Sequence, residues 1–170
     1  MCIRDSIKAY DEAGLGADNS PIVSVSIAEE EAPAMGKDVT GQFAAWNYFQ
    51  SVKSPTNETF IKAFQAKYGA KRPTSDPMEA AYTSLYLYKG MVEKAKSFCV
   101  DAVNASSGGV SFDSPEGKVT VNGENHHIAK TGLIGQINSS NQFDIVWDSK
   151  TPIEPDPFLK GYTWWNPNAE

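Results

Sequence analysis

Only one segment of this 170-residue chain has the composition of a strand buried in a parallel sheet. It spans residues 22–27, Ile-Val-Ser-Val-Ser-Ile, and follows an Asn-Ser-Pro turn. Helical patterns lie on both sides of this segment, which predicts an α/β chain. One parallel strand cannot make a doubly wound sheet. We therefore expect either that further strands carry weaker signals or that most of the sheet lies outside this chain.

Two helices are predicted before residue 70. Residues 7–16 have the pattern of the last turns of a helix, and their two glycines suit its C-terminal cap. Ser54-Pro55 is typical of an N-cap and first helical residue, and apolar residues follow at helical spacing up to Gly69. The intervening residues 41–52 are rich in aromatic side chains and fit either a strand or a helix.

The third helix has the strongest start signal. Asp76-Pro77-Met78-Glu79 predicts a capping box, with Asp76 as the N-cap, proline at the first position and glutamate at the third. The apolar face of this helix is predicted to contain Met78, Ala81, Tyr82, Leu85, Tyr88 and Val92.

After residue 110 the apolar pattern changes to a period of two. A short helix at residues 101–105 precedes a turn at 114–117. Residues 133–137 and 143–147 are predicted to form a β-hairpin around a polar loop. The proline-rich tail that contains Trp164-Trp165 is expected to be extended and held against the body of the protein.

Charge and hydropathy exclude two classes of partner. The net charge is −6, and no Lys/Arg cluster is present, so binding to nucleic acid or to an anionic membrane surface is not expected. No stretch approaches the roughly 20 apolar residues of a transmembrane helix, so direct membrane insertion is not expected.

Motifs for catalysis or cofactor binding are absent from the sequence. His126-His127 would point to opposite faces of a strand, with no ligand partner at metal-site spacing. Cys2 and Cys99 match no redox or metal spacing. The sequence contains no nucleophile elbow, phosphate loop or full dinucleotide fingerprint. We therefore expect no cofactor, no metal and no enzymatic activity.

Ser26 and Glu29 are the best candidates for ligand contacts. They follow the predicted strand, and open α/β sheets bind ligands beyond the carboxyl ends of their strands. Serine donates and accepts hydrogen bonds and glutamate accepts them, which suits a small amide-like ligand. Glu30 and Glu31 fit a solvated face or a helix N-terminus better than they fit paired catalytic carboxylates.

Asp76 and three aromatic residues are further candidates with structural alternatives. Asp76 lies where free helix N–H groups could bind a ligand oxygen, although its predicted capping role already accounts for it. Trp46, Tyr48 and Phe49 could line a pocket or pack in the core.

Several strings together resemble the C-terminal part of a urea-type ABC-transporter substrate-binding protein. They are similar as well to the bacterial amide-sensing regulators of the same fold. The resemblance extends from about Ile7 to about Phe158. It rests on the order and spacing of PIVSVSIAEEE, AAWNYFQS, TSDPMEAAYTSLYLYKGMVEKA, VDAV, FDSPEGKVTVNGENHH and FDIVWDSKTPIEPDPF.

This resemblance implies a truncated type I periplasmic binding protein, an α/β fold with two lobes and a ligand cleft that closes about a hinge. Residues 7–170 would supply the C-terminal portion, with parts of both lobes, the hinge crossings near residues 46–51 and a C-terminal β-hairpin. The first-lobe binding residues would lie outside the chain. The ligand-binding residues carried over are Ser26, Ile27, Glu29, Asp76 and Met78.

The same resemblance implies a function in transport. The protein would capture urea or a short-chain amide without chemistry, deliver it to ABC permease subunits, and reside in the periplasm, its signal peptide lost by truncation. Two alternatives stay open: a cytoplasmic amide-sensing regulator of the same fold, and a fragment of an α/β hydrolase.

Residues 1–6, MCIRDS, differ in character from the rest of the chain. Their codons can be written as the transposon end used to tag sequencing libraries, so we interpret them as translated adapter. On this interpretation Met1 is not a native start, and Cys2 supports no redox argument.

Overall fold

A computed structural model describes residues 3–35 and 39–157. The predictions for Cys2 and for Trp164-Trp165 lie outside these residues. The described elements are α1 (Ile3–Glu12), β1 (Val23–Ser24), α2 (Ala32–Met35), β2 (Phe43–Trp46), α3 (Pro55–Tyr68), α4 (Asp76–Ala95), α5 (Val100–Ser106), β3 (Ser111–Ser114), β4 (Gly117–Thr120), β5 (Leu133–Ile137) and β6 (Phe143–Asp148).

These elements form two sheets and two hydrophobic cores, so the predicted α/β class is confirmed. The larger sheet has the strand order β1-β2-β5-β6, with β1 and β2 parallel and the other pairs antiparallel. Its core includes Phe49, Ile137 and Phe143. The β3–β4 hairpin packs with α4 around a second core that includes Leu87 and Val119.

Three connections lie at the junction of the two cores. They are residues 47–54 after β2, residues 121–132 before β5, and residues 149–153 after β6. The last two pair with each other through a bridge between Lys130 and Ile153.

The predicted buried strand at residues 22–27 is shorter and more exposed than expected. Only Val23–Ser24 is strand, and Val23 and Val25 are 58% and 70% exposed. The Ser24 hydroxyl accepts hydrogen bonds from the backbone N–H groups of Ser26 and Ile27, which turns the chain and ends the strand. Among the described strands, β1 pairs only with β2, so it is an edge strand.

The predictions for α3, α5 and the C-terminal hairpin are confirmed. The Ser54 side chain caps α3 by accepting from the N–H of Asn57 at 3.1 Å, and Gly69 ends the helix at φ 114°. Strands β5 and β6 pair antiparallel, with Ile137 opposite Phe143, and a bulge shifts the register between Ile134 and Gly135.

The predicted capping box of α4 is wrong. Ser75 occupies the N-cap position, and Asp76 is the first helical residue. The Asp76 carboxylate bonds to the backbone of residues 47 and 48 and not to the start of its own helix. The predicted apolar face is also wrong in part, since Leu85 and Tyr88 are 65% and 47% exposed. The buried face of α4 carries a polar set and one leucine: Asp76, Glu79, Thr83 and Leu87.

Gly135 lies where the sheet meets its aromatic core. A Cβ atom at this position would lie 2.8 Å from the Phe49 ring and 3.0 Å from Phe143 Cβ. We expect Gly135→Ala to lower the free energy of unfolding by about 1–3 kcal/mol through overpacking. Guanidinium denaturation would measure the loss. Gly16→Ala is the control, because a Cβ there meets no atom within 4 Å, and an equal loss in both variants would contradict the packing argument.

Candidate functional site

The segment that follows β1 turns inward after Ser26. The Ser26 side chain is exposed, whereas Ile27, Ala28 and Glu29 are buried. The indole N–H of Trp46 donates to the carbonyl oxygen of Ile27 at 2.9 Å, which fixes this segment against β2. The predicted ligand segment is therefore held by the strand next to it.

Glu29 is a buried carboxylate with one unpaired oxygen. Its Oε1 accepts from the backbone N–H of Gln50 at 2.6 Å. Its Oε2 has no hydrogen-bond partner among the described residues, although the residue is only 1% exposed. Burial raises the Glu29 pKa to about 7, and the charges of Asp76 and Glu31 act in the same direction.

Asp76 reaches the same region from the start of α4. Its Oδ2 accepts from the backbone N–H groups of Asn47 at 3.0 Å and Tyr48 at 2.9 Å. A carboxylate in this position is also favoured by the positive end of the helix dipole. Asp76 thus fixes the first connection between the cores to the N-terminus of α4.

Glu30 joins the segment after β1 to the segment before α4. The Ser75 hydroxyl donates to Glu30 Oε2 at 3.1 Å, and Arg72 Nη2 lies 3.5 Å from Glu30 Oε1. Glu31 instead accepts from the N–H of Ala28 at 3.0 Å just before α2. The expectation of a solvated face therefore does not hold for Glu30, and Glu31 fits the helix N-terminus interpretation.

Gln50 is a central residue of the site that the sequence pattern did not single out. Its side-chain oxygen accepts from the N–H of Thr74 at 2.8 Å, and its amide nitrogen donates to Gln142 at 3.1 Å. With its own N–H on Glu29, Gln50 connects three separate parts of the chain. The one available signal was a polar side chain within the aromatic segment AAWNYFQS.

The remaining candidates lie in other surroundings. Met78 lines a groove of about 370 Å³ between α3 and α4, together with Phe64 and Tyr82, away from Glu29. Tyr48 and Phe49 are fully buried, and Phe49 stacks on Phe143 at a ring distance of 4.8 Å, which supports core packing for these aromatics.

The histidines and the cysteine of the described residues do not form a metal site. Within residues 3–35 and 39–157, no three His, Cys, Asp or Glu side chains are placed to hold a metal ion. His126 lies in a turn rather than a strand, and its Nδ1 is 3.0 Å from the Ser107 hydroxyl. Cys99 is an exposed free thiol. None of the described helices is long and apolar enough to cross a membrane.

Solved structures share this fold. A solute-binding protein of an ABC transporter from R. palustris, in complex with 4-hydroxybenzoate, matches with a TM-score of 0.77 at 21% identity, over 94% of this chain and 44% of that one. A second R. palustris solute-binding protein, in complex with benzoate, has a TM-score of 0.76 at 18% identity, over 90% and 41%. A leucine-binding protein from Thermotoga maritima has a TM-score of 0.73 at 17% identity, over 86% and 41%.

A curated protein is similar in sequence as well. It is named limonene hydroxylase, from Geobacillus stearothermophilus, and is 30% identical over 123 residues, which cover 72% of this chain and 22% of that protein. The chain thus spans less than half the length of each of these proteins. The sequence model of the periplasmic binding protein domain matches residues 4–163. The chain belongs to the periplasmic binding protein domain family, with the mixed α/β fold of its type I members.

Proposed function

We propose that this chain is the C-terminal part of an ABC-importer solute-binding protein that captures urea or a short-chain amide. The observation that supports this most directly is that Glu29 Oε2 has no hydrogen-bond partner among residues 3–35 and 39–157. A buried acceptor without a partner is costly, and a ligand N–H group that donates to it would remove this cost. Urea and amides carry such groups.

The charge of the site favours a neutral ligand. Segments 26–31, 46–51 and 72–76 carry four carboxylates, Glu29, Glu30, Glu31 and Asp76. Their single cation, Arg72, already contacts Glu30. The two R. palustris relatives are described in complex with benzoate and 4-hydroxybenzoate, which are anions at neutral pH. An anion in this site would meet like charges, whereas an uncharged amide would not.

Binding would close a cleft between two lobes, and the closed form would dock on permease subunits in the periplasm. Ser26, Ile27, Glu29 and Asp76 would contribute to the ligand site from this part of the chain. Met78 is retained as a proposed contact, although it faces the groove between α3 and α4. No step of this function is chemical, so neither urea nor amide is expected to be hydrolysed.

Calorimetry on the protein extended through its first lobe tests this proposal. We expect heat of binding with urea or acetamide and none with benzoate, and no ammonia release. Binding of benzoate alone would contradict the ligand class, and turnover would favour the hydrolase alternative. The 170-residue chain alone is expected to bind weakly or not at all. DNA upstream of Met1 that encodes a signal peptide would favour transport over a cytoplasmic regulator.

A further inference from the structure

A second group of buried charges lies outside the candidate ligand site. It consists of Glu79 on α4, Glu116 in the turn between β3 and β4, and Lys130 before β5. The side chains are 0%, 4% and 19% exposed. We call these three residues the acidic clamp.

The acidic clamp contains more acceptors than donors. Lys130 Nζ lies 3.0 Å from Glu116 Oε2 and 3.9 Å from Glu79 Oε2. The Thr83 hydroxyl donates to Glu79 Oε1 at 2.5 Å. Glu79 Oε2 and Glu116 Oε1 have no hydrogen-bond partner among the described residues. One ammonium therefore faces two buried carboxyl groups.

Two ionised carboxylates are unfavourable in this position. Burial and the charge of Glu79 together raise the pKa of Glu116 to about 7, against the opposing effect of Lys130. Burial likewise raises the pKa of Glu79. Because like charges that share a buried site cannot both ionise cheaply, the pair binds a proton more strongly than two exposed glutamates would.

Lys130 lies where the three connections between the cores meet. Its carbonyl oxygen accepts from the N–H of Ile153 at 2.8 Å in the third connection. The neighbouring Thr131 carbonyl accepts from the Asn47 side chain at 3.0 Å in the first connection. A displacement of Lys130 would therefore disturb the whole region that links the two cores.

We propose that the acidic clamp is a proton-dependent device that holds residues 128–132 against α4. With one proton on the Glu79–Glu116 pair, a single negative charge is balanced by Lys130. When this proton is lost, the two carboxylates repel each other across one ammonium, and the connection before β5 opens more often. This inference concerns the links between the cores and does not depend on the proposed ligand.

The pH effect of the Glu79–Glu116 pair has to be distinguished from the effects of other titratable groups near Lys130. Asp76 adds negative charge from the start of α4. Lys130 lines two cavities. Glu154 and Asp156 line one of them, and His126 and His127 line the other. Histidine ordinarily titrates near pH 6.5, so a pH effect alone would not identify the clamp.

Hydrogen exchange of peptides that cover residues 128–132 tests the proposal. Exchange rates are first corrected for intrinsic exchange. Protection in the wild-type chain is then expected to fall about tenfold between pH 6 and pH 8. A carboxyl group with a pKa of about 7 in the closed form and 4.5 in the open form changes the opening equilibrium by that factor. In Glu116→Gln, protection is expected to be the same at both pH values. Glu124→Gln, an exposed glutamate, is the matched control and should behave as wild type.

Equal protection at both pH values in the wild type would overturn the proposal. A pH dependence that survives in Glu116→Gln would assign the effect to another titratable group, such as the histidines or Glu29, and would overturn it as well. If Glu116→Gln does not fold, carboxyl carbon NMR of the wild type decides. Because Glu29 is also expected to titrate near pH 7, the spectrum is compared with that of Glu29→Gln. A glutamate resonance that still titrates near pH 7 in this variant supports the clamp, and titration of all its glutamates below about pH 5 contradicts it.

Discussion

Asp76→Ala is expected to lower the free energy of unfolding by about 3–5 kcal/mol. The Asp76 carboxylate accepts from the backbone N–H groups of Asn47 and Tyr48, and removal of this acceptor breaks both hydrogen bonds. A hydrogen bond to a charged group contributes about 1.5–3 kcal/mol, and an orphaned buried donor costs a similar amount. Tyr48 is fully buried, so water does not easily replace the lost acceptor.

Two variants separate this effect from the loss of a charge at a helix start. Asp76→Asn keeps a side-chain oxygen and is expected to cost about 1–2 kcal/mol. Asp101→Ala removes an exposed aspartate from the first turn of α5 and is expected to cost about 0.5 kcal/mol. Guanidinium denaturation gives all three values without the use of urea, the proposed ligand. Equal losses of unfolding free energy in Asp76→Ala and Asp101→Ala would show that the two backbone hydrogen bonds do not stabilise the fold.

The elements that were predicted correctly have signals contained within a few residues. Ser54 caps α3 through a partner three residues away, and the β5–β6 hairpin pairs strands on either side of a short polar loop. The start of α4 carries an equally clear local signal that was misleading. The Asp76 side chain bonds to Tyr48 and Asn47, which lie 28 and 29 positions earlier in the chain. Sequence rules for helix caps contain no information on such a contact.

The sequence pointed to single residues of the candidate site but not to the contacts between them. Glu29 and Asp76 were selected because they adjoin a strand end and a helix start, and the structure places both near the first connection. The contacts that join the segments, Gln50 to Glu29 and Ser75 to Glu30, span 21 and 45 residues. No periodicity or motif marks such pairs, because they depend on how the two cores are arranged.

The exposed side of α4 shows a further limit of pattern analysis. Helical spacing identified Leu85 and Tyr88 as one apolar face, but spacing does not indicate which neighbour covers it. In the described residues, the face that is covered instead carries Glu79 and Thr83. Its burial depends on Lys130 and on the turn before β4, which lie far along the chain.

Glu29→Gln is expected to weaken urea or amide binding by about 10- to 100-fold and to abolish its pH dependence. In the proposed complex, Glu29 Oε2 accepts from a ligand N–H group, and a charged acceptor in a buried site contributes about 1.5–3 kcal/mol. Glutamine keeps one oxygen for the N–H of Gln50 but can direct its own N–H group at the ligand, which leaves two donors facing each other. Calorimetry on the protein that includes the first lobe would measure both effects.

The pH dependence in the wild type is a consequence of the raised pKa of Glu29. The ligand binds the ionised carboxylate, so binding strengthens as the pH rises through about 7 and becomes constant above about 8. At pH 6 only about a tenth of Glu29 is ionised, and the apparent affinity is expected to be about tenfold weaker than at pH 8. Glu58→Gln, an exposed glutamate on α3, is the matched control and should keep the wild-type profile.

The outcomes separate the role of Glu29 from the proposed function. Urea binding that is independent of pH and unaffected by Glu29→Gln would leave the function in place and remove Glu29 from the site. Absence of urea and amide binding at every pH would contradict the ligand class itself. Weak binding at pH 6 that recovers at pH 8 only in variants that retain Glu29 would support the proposal that this buried carboxylate receives the ligand, because no exposed glutamate would titrate in this range.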